Sequence, residues 1–123
     1  MDIQNAIRTV LRMKVAVVGS RTLEHVDIAK YIPAGITVLL SGGARGVDTL
    51  AERYADAHGI PKMILRPDYG LYGKSAPLVR DRMLVELCDR VVAVWDGVSP
   101  GTSYTLRYAK SRGVPTELYV VRA

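Results

Sequence analysis

Five short apolar runs punctuate the chain: Val15-Ala16-Val17-Val18, Ile36-Thr37-Val38-Leu39-Leu40, Met63-Ile64-Leu65, Val91-Val92-Ala93-Val94-Trp95 and Leu118-Tyr119-Val120-Val121. None alternates cleanly between apolar and polar positions, the pattern of strands buried on both faces of a sheet. Between the runs the period becomes helical, most clearly at Val47, Leu50, Ala51, Tyr54 and Ala55, which fall on one face. That helix stops at Gly59-Ile60-Pro61, a second spans Pro77 to Cys88, and a third follows Gly101 and stops at Gly113-Val114-Pro115. The order β-α-β-α-β-α-β-α-β places a helix in every connection, including the one between the first two strands. It predicts a Rossmann-like α/β fold, a three-layer α/β/α sandwich around a five-stranded parallel sheet with right-handed crossovers. Ile3, Ala6, Ile7, Val10 and Leu11 add an amphipathic N-terminal helix over residues 1–12, whose stripe packs on the domain or on a second subunit.

Composition narrows the class without naming a ligand. With 123 residues, 49% hydrophobic and 24% charged, the chain fits one domain with a core of useful size. No apolar run approaches the roughly 20 residues of a membrane span, and the first residues lack the unbroken apolar segment of a signal peptide. A soluble, cytoplasmic protein is expected, with no membrane partner. The single Cys88 lies in an apolar helical stretch and reads as a small core residue. The net charge of +5 favours anionic partners, but the basic residues are scattered, with no block and no aromatic-interleaved stripe. Nucleic acid is therefore weighed below a phosphate-bearing small molecule.

Parallel sheets bind ligands beyond the carboxyl ends of their strands, where strand order reverses. The first strand runs into Gly19-Ser20-Arg21 and the second into Ser41-Gly42-Gly43-Ala44-Arg45-Gly46-Val47-Asp48. The fourth runs into Asp96-Gly97-Val98-Ser99-Pro100-Gly101-Thr102-Ser103. Glycines permit close backbone approach, and free N–H groups at a helix start favour phosphate. Ser20, Ser41, Thr102 and Ser103 add hydroxyls. Arg45, Arg80 and Arg82 supply planar guanidinium forks, although Arg80 and Arg82 cannot share a helix face. The alternative for each loop is a plain tight turn.

Other motifs carry less. Asp68-Tyr69-Gly70-Leu71-Tyr72-Gly73-Lys74-Ser75 ends like a phosphate-binding Walker loop but has aspartate where the first glycine belongs, at the wrong distance from a strand. His25 and His58 lack ligand partners at metal spacing, so neither a metal nor a cofactor is expected. Trp95, Tyr69 and Tyr72 offer stacking surfaces, though half-buried core packing is the commoner fate of such rings.

These loops resemble the SLOG superfamily, Rossmann-like proteins that include the "lonely guy" phosphoribohydrolases, the DNA-processing protein A family and small uncharacterised relatives. The resemblance covers about Lys14 to Val121 and rests on Ser41 to Asp48 and on the middle-helix stretch Gly73 to Met83. It implies a nucleotide-type ligand, a functional arginine at Arg80 or Arg82, and self-association. The phosphoribohydrolases carry a glutamate where this chain has Thr105, and the similar nucleoside deoxyribosyltransferases fail at the same place. Threonine cannot act as the required carboxylate, and Asp48 or Asp96 would have to replace it, with Arg82 on phosphate.

The expectation is thus a binder or sensor of a nucleotide-derived phosphate compound, held by Gly19 to Arg21, Gly42 to Gly46 and Pro100 to Ser103, with Arg45 and Arg82 as anchors. The alternatives are N-glycosidic hydrolysis or transfer on nucleotides and, like the DNA-processing branch, single-stranded DNA binding. The N-terminal helix offers an interface for a homodimer or higher homo-oligomer.

Overall fold

The computed structural model describes residues 2–4 and 13–122. Of the N-terminal helix expected over 1–12, Ile3 and Gln4 are helical, Asp2 is not, and the other positions lie outside the described residues. Strands β1 (Lys14–Gly19), β2 (Val38–Ser41), β3 (Lys62–Ile64), β4 (Arg90–Trp95) and β5 (Thr116–Val120) form one sheet in the order β3-β2-β1-β4-β5. Every pairing is parallel. The helices are α1 (Val47–Ala57), the single turn α2 (Tyr69–Tyr72), α3 (Ala76–Leu87) and α4 (Pro100–Ser111).

Alternate residues of the central strands face two separate cores. Val15, Val17, Leu39, Val92 and Val94 pack under α1, whose Val47, Ala51 and Ala55 recur at i, i+4 and i+8 and are fully buried. Ala16, Val18, Leu40, Val91 and Ala93 face α3 and α4, meeting Leu84, Val85, Cys88 and Ala109. Cys88 is the expected core residue, and burial pushes its thiol up to about 11.

Two expectations need correction. The connection between β1 and β2 holds no α-helix, only the 3₁₀ turn Ile28–Lys30. Pro33 and Gly35, the latter at φ +82°, interrupt the segment, and Leu23, Ile28 and Ile32 anchor it in the core one by one. Nor are all strands buried on both faces. β3 and β5 are sheet edges, and Met63, Leu118 and Val120 are 45%, 46% and 52% exposed. An edge strand lacks one neighbour, and the covering helices do not reach its outer side chains. Among the described residues no helix is long and apolar enough to cross a membrane.

Candidate ligand-binding cleft

Strand order reverses between β1 and β4, so their carboxyl ends diverge and leave a crevice. A cleft of about 340 Å³ lies there, between the loop after β1, the start of α4 and the inner face of α3. Ser20 stitches the two loops together. Its N–H donates to the Val94 carbonyl at 3.2 Å, and its hydroxyl accepts from the Asp96 N–H at 2.9 Å. Asp96 then builds the entrance to α4 by accepting from the Val98 and Ser99 N–H groups at 2.9 and 2.8 Å. It also accepts from the Ser99 hydroxyl at 2.8 Å and the Thr22 hydroxyl at 3.2 Å. These donors hold its carboxyl far below the usual carboxylate range, which makes Asp96 an organiser of the loop and a poor replacement base.

Pro100 occupies the first turn of α4, where its missing N–H costs nothing. The Gly101 and Thr102 N–H groups have no acceptor one turn earlier within the helix, and both residues line the cleft. A Cβ on Gly101 would meet no atom within 4 Å, so the backbone here is open to an occupant. Ser103 turns away, accepting from Arg107 at 3.2 Å.

The floor is ionic. The stripe Ala76-Arg80-Leu84 puts Arg80 on the buried face of α3, where its Nε donates to Asp81 Oδ1 at 2.7 Å and its Nη1 donates to the Gly42 carbonyl. Asp48 reaches the same place from α1 and accepts from the Ala44 N–H at 3.1 Å. Burial raises the Asp48 carboxyl to about 6, opposed by the Ala44 hydrogen bond and Arg80. Burial also raises Asp81, again opposed by Arg80. Thr105 completes the floor, only 2% exposed, with its hydroxyl on the Gly101 carbonyl at 3.1 Å. Of the two arginines expected on this helix, Arg80 is the one that faces the cleft. Arg82 is exposed and does not line the cleft.

Gly19, Ser20, Arg21, Asp48, Arg80, Pro100, Gly101 and Thr102 border the cleft as the strand-end argument expects. Ser41, Gly42, Gly43 and Gly46 do not, because the molecule's own side chains and backbone fill the space their glycines leave. A Cβ on Gly42 would sit 2.6 Å from Arg80 Nη1, and one on Gly43 2.7 Å from Arg66 Nη1. One on Gly46 would sit 2.3 Å from the Ser20 carbonyl oxygen. The Ser41 hydroxyl is spent on Glu52 at 2.6 Å. Arg45, expected as an anchor, is exposed and does not line the cleft. Trp95 is tied down by its indole N–H on the Ser99 carbonyl at 2.9 Å.

Arg66 was not singled out in the sequence, although it follows β3 as Arg21 follows β1. It donates to the Gly43 carbonyl at 3.2 Å. The segment resembling a Walker loop forms α2 and a 3₁₀ turn, with Asp68 capping α2 by accepting from the Leu71 N–H at 3.0 Å. The scatter of basic residues also dissolves in three dimensions. Arg21, Arg45 and Arg66 follow the carboxyl ends of β1, β2 and β3, and Lys74 lies in the turn that leads from α2 into α3, so these four exposed residues gather on the carboxyl side of the sheet.

Residues 13–72 match the model of the YspA, cpYpsA-related SLOG family. The chain is 33% identical over 89 residues to the Gene 61 protein of Mycobacterium phage D29, covering 68% of this chain and 70% of that protein. The fold is similar to that of DNA processing protein A from Streptococcus pneumoniae, with TM-score 0.71 and 22% identity over 89% of this chain. This chain spans 50% of that protein's length. It is similar also to DNA processing protein A from Helicobacter pylori, solved for its single-stranded DNA binding mode, with TM-score 0.65 and 24% identity over 93% of this chain and 69% of the other.

Proposed function

The chain belongs to the YspA, cpYpsA-related SLOG family, and on that premise we propose that the carboxyl edge of its sheet binds a single DNA strand. The observation that carries this reading is the gathering of Arg21, Arg45, Arg66 and Lys74 at that edge. The carboxylates nearby are already engaged. Asp48 and Asp81 are buried beside Arg80, while Asp68 and Asp96 accept backbone N–H groups. Asp68 and Asp96 keep their charges, but the four cations outnumber them, and the open N–H groups of α4 would add donors for phosphates. The shared fold with a single-stranded DNA binder supports the same choice.

The test is fluorescence anisotropy of a labelled oligothymidine across a salt series. Affinity should fall steeply with salt, and Arg45→Ala and Lys74→Ala should each reduce the logarithmic slope by about one. Arg112→Ala, at the far end of α4, should leave the slope unchanged. No binding at low salt would overturn the reading.

The size of the cleft favours a second reading, a free nucleotide as the ligand. A volume of about 340 Å³ falls within the ordinary range for small-molecule pockets. Thermal-shift measurements with mononucleotides, each followed by chromatography for released base, test it. Stabilisation without release supports a binder, and release would mean that a group other than Thr105 supplies the chemistry.

A further inference from the structure

Beside the first cleft, separated from it by Arg80, lies a second cavity of about 280 Å³. Its walls are apolar: Leu65 from the end of β3, Leu71 and Tyr72 from α2, and Val79 and Met83 from α3. Leu71, Tyr72 and Met83 are 69%, 42% and 41% exposed. Large apolar side chains left exposed around a concavity mark a binding surface. The rim is polar, with Arg66 on one side and Asp68 beside it.

We propose that this cavity is a nucleobase subsite, stacking one base of a DNA strand against Tyr72 while the adjoining nucleotide occupies the first cleft across Arg80. The inference rests on the strand-binding reading. Charge complementarity selects the occupant, because Arg66 lines the cavity and Lys74 stands in the exposed turn between its Tyr72 and Ala76 walls, and a nucleotide joins a flat ring to an anionic backbone. Tyr72 supplies a ring face, Met83 a polarizable thioether, and Arg66 a donor at the rim for base-edge atoms. Stacking of this kind tolerates any base, so little sequence preference is expected.

The experiment uses the full chain with two labelled probes of equal length, oligothymidine and the corresponding abasic deoxyribose-phosphate strand. Tyr72→Ala should weaken oligothymidine binding about tenfold while leaving abasic affinity and the salt slope unchanged. Leu71→Ala, at an exposed position, should act in the same direction with a smaller loss. Equal weakening on both probes, or on neither, overturns the subsite while leaving the strand-binding reading intact. Failure of the unaltered protein to bind either probe overturns both. Sedimentation decides the competing occupant: if Tyr72→Ala or Leu71→Ala instead dissociates a dimer, the face is a contact between copies and the subsite is refuted.

Discussion

The loops after β2 and β4 carry the same kinds of residue and do opposite things. Both are rich in glycine and hydroxyls, and both lead into a helix. Around Ser41 to Asp48, Arg80, Arg66 and the backbone of the β1 loop occupy the space opened by the missing Cβ atoms. Around Ser99 to Thr102 that space stays empty and the first-turn N–H groups face the cleft. A glycine-rich loop therefore signals close approach, and what approaches depends on the helix packed opposite. Here α3 sends a buried arginine toward one loop and leaves the other clear.

The sharpest way to break this comparison is to remove that arginine. Arg80→Leu should cost about 3–5 kcal/mol in chemical denaturation, because Asp81 and Asp48 would remain buried without their counter-charge. Arg82→Leu, on the exposed face of the same helix, should change stability by less than about 0.5 kcal/mol. Equal effects would show that the ionic floor does not support the fold.

Glycine at the base of the cleft comes next. A Cβ on Gly19 would lie 2.2 Å from the Val94 carbonyl oxygen and 2.6 Å from Val47 Cγ2, so Gly19→Ala should cost about 3 kcal/mol. A melting temperature unchanged from the parent protein would contradict the close approach of β1, β4 and α1.

Acidity sharpens the contrast in a third way. The folded-state pKa of Asp48 is about 6 against an ordinary 3.8, so the native protein binds the proton more tightly than the unfolded chain does. Its contribution is most favourable below about pH 4, is lost as the pH rises through about 6, and amounts to at most about 3 kcal/mol. Asp81 acts in the same direction. Asp48→Asn should flatten the stability profile between about pH 4 and 6, and an unchanged profile would assign the slope to other groups.

The smallest effect is expected at the open loop. Gly101→Ala should shift stability by less than about 0.5 kcal/mol, since its Cβ meets nothing and alanine suits a helix. Its mark should be on ligand affinity, where a methyl group would stand beside the open N–H groups.

Much of the fold was legible because apolar periodicity reports burial. The repeat of Val47, Ala51 and Ala55 and the unbroken run Val91 to Val94 admit few other arrangements. The missing first helix was less legible, since its anchors Leu23, Ile28 and Ile32 share no regular period and Pro33 and Gly35 interrupt them. Of the loop after β4, Pro100, Gly101 and Thr102 border the cleft and Ser103 does not. The loop after β2 brings only Ala44 and Asp48 there, because Arg66 and Arg80, more than twenty residues along the chain, pack against its glycines. The register Ala76-Arg80-Leu84 carried the signal that Arg80 points inward, but an arginine on an apolar stripe is readable as buried only when its counter-ion is known.

By itself the sequence determined the alternation of strands and helices and the parallel sheet, since these follow from local periodicity and the handedness of crossovers. Tertiary structure decided which glycines stayed open, which arginine was buried and that four scattered cations share one edge. Those outcomes depend on distances between segments remote in sequence, which only chain packing sets.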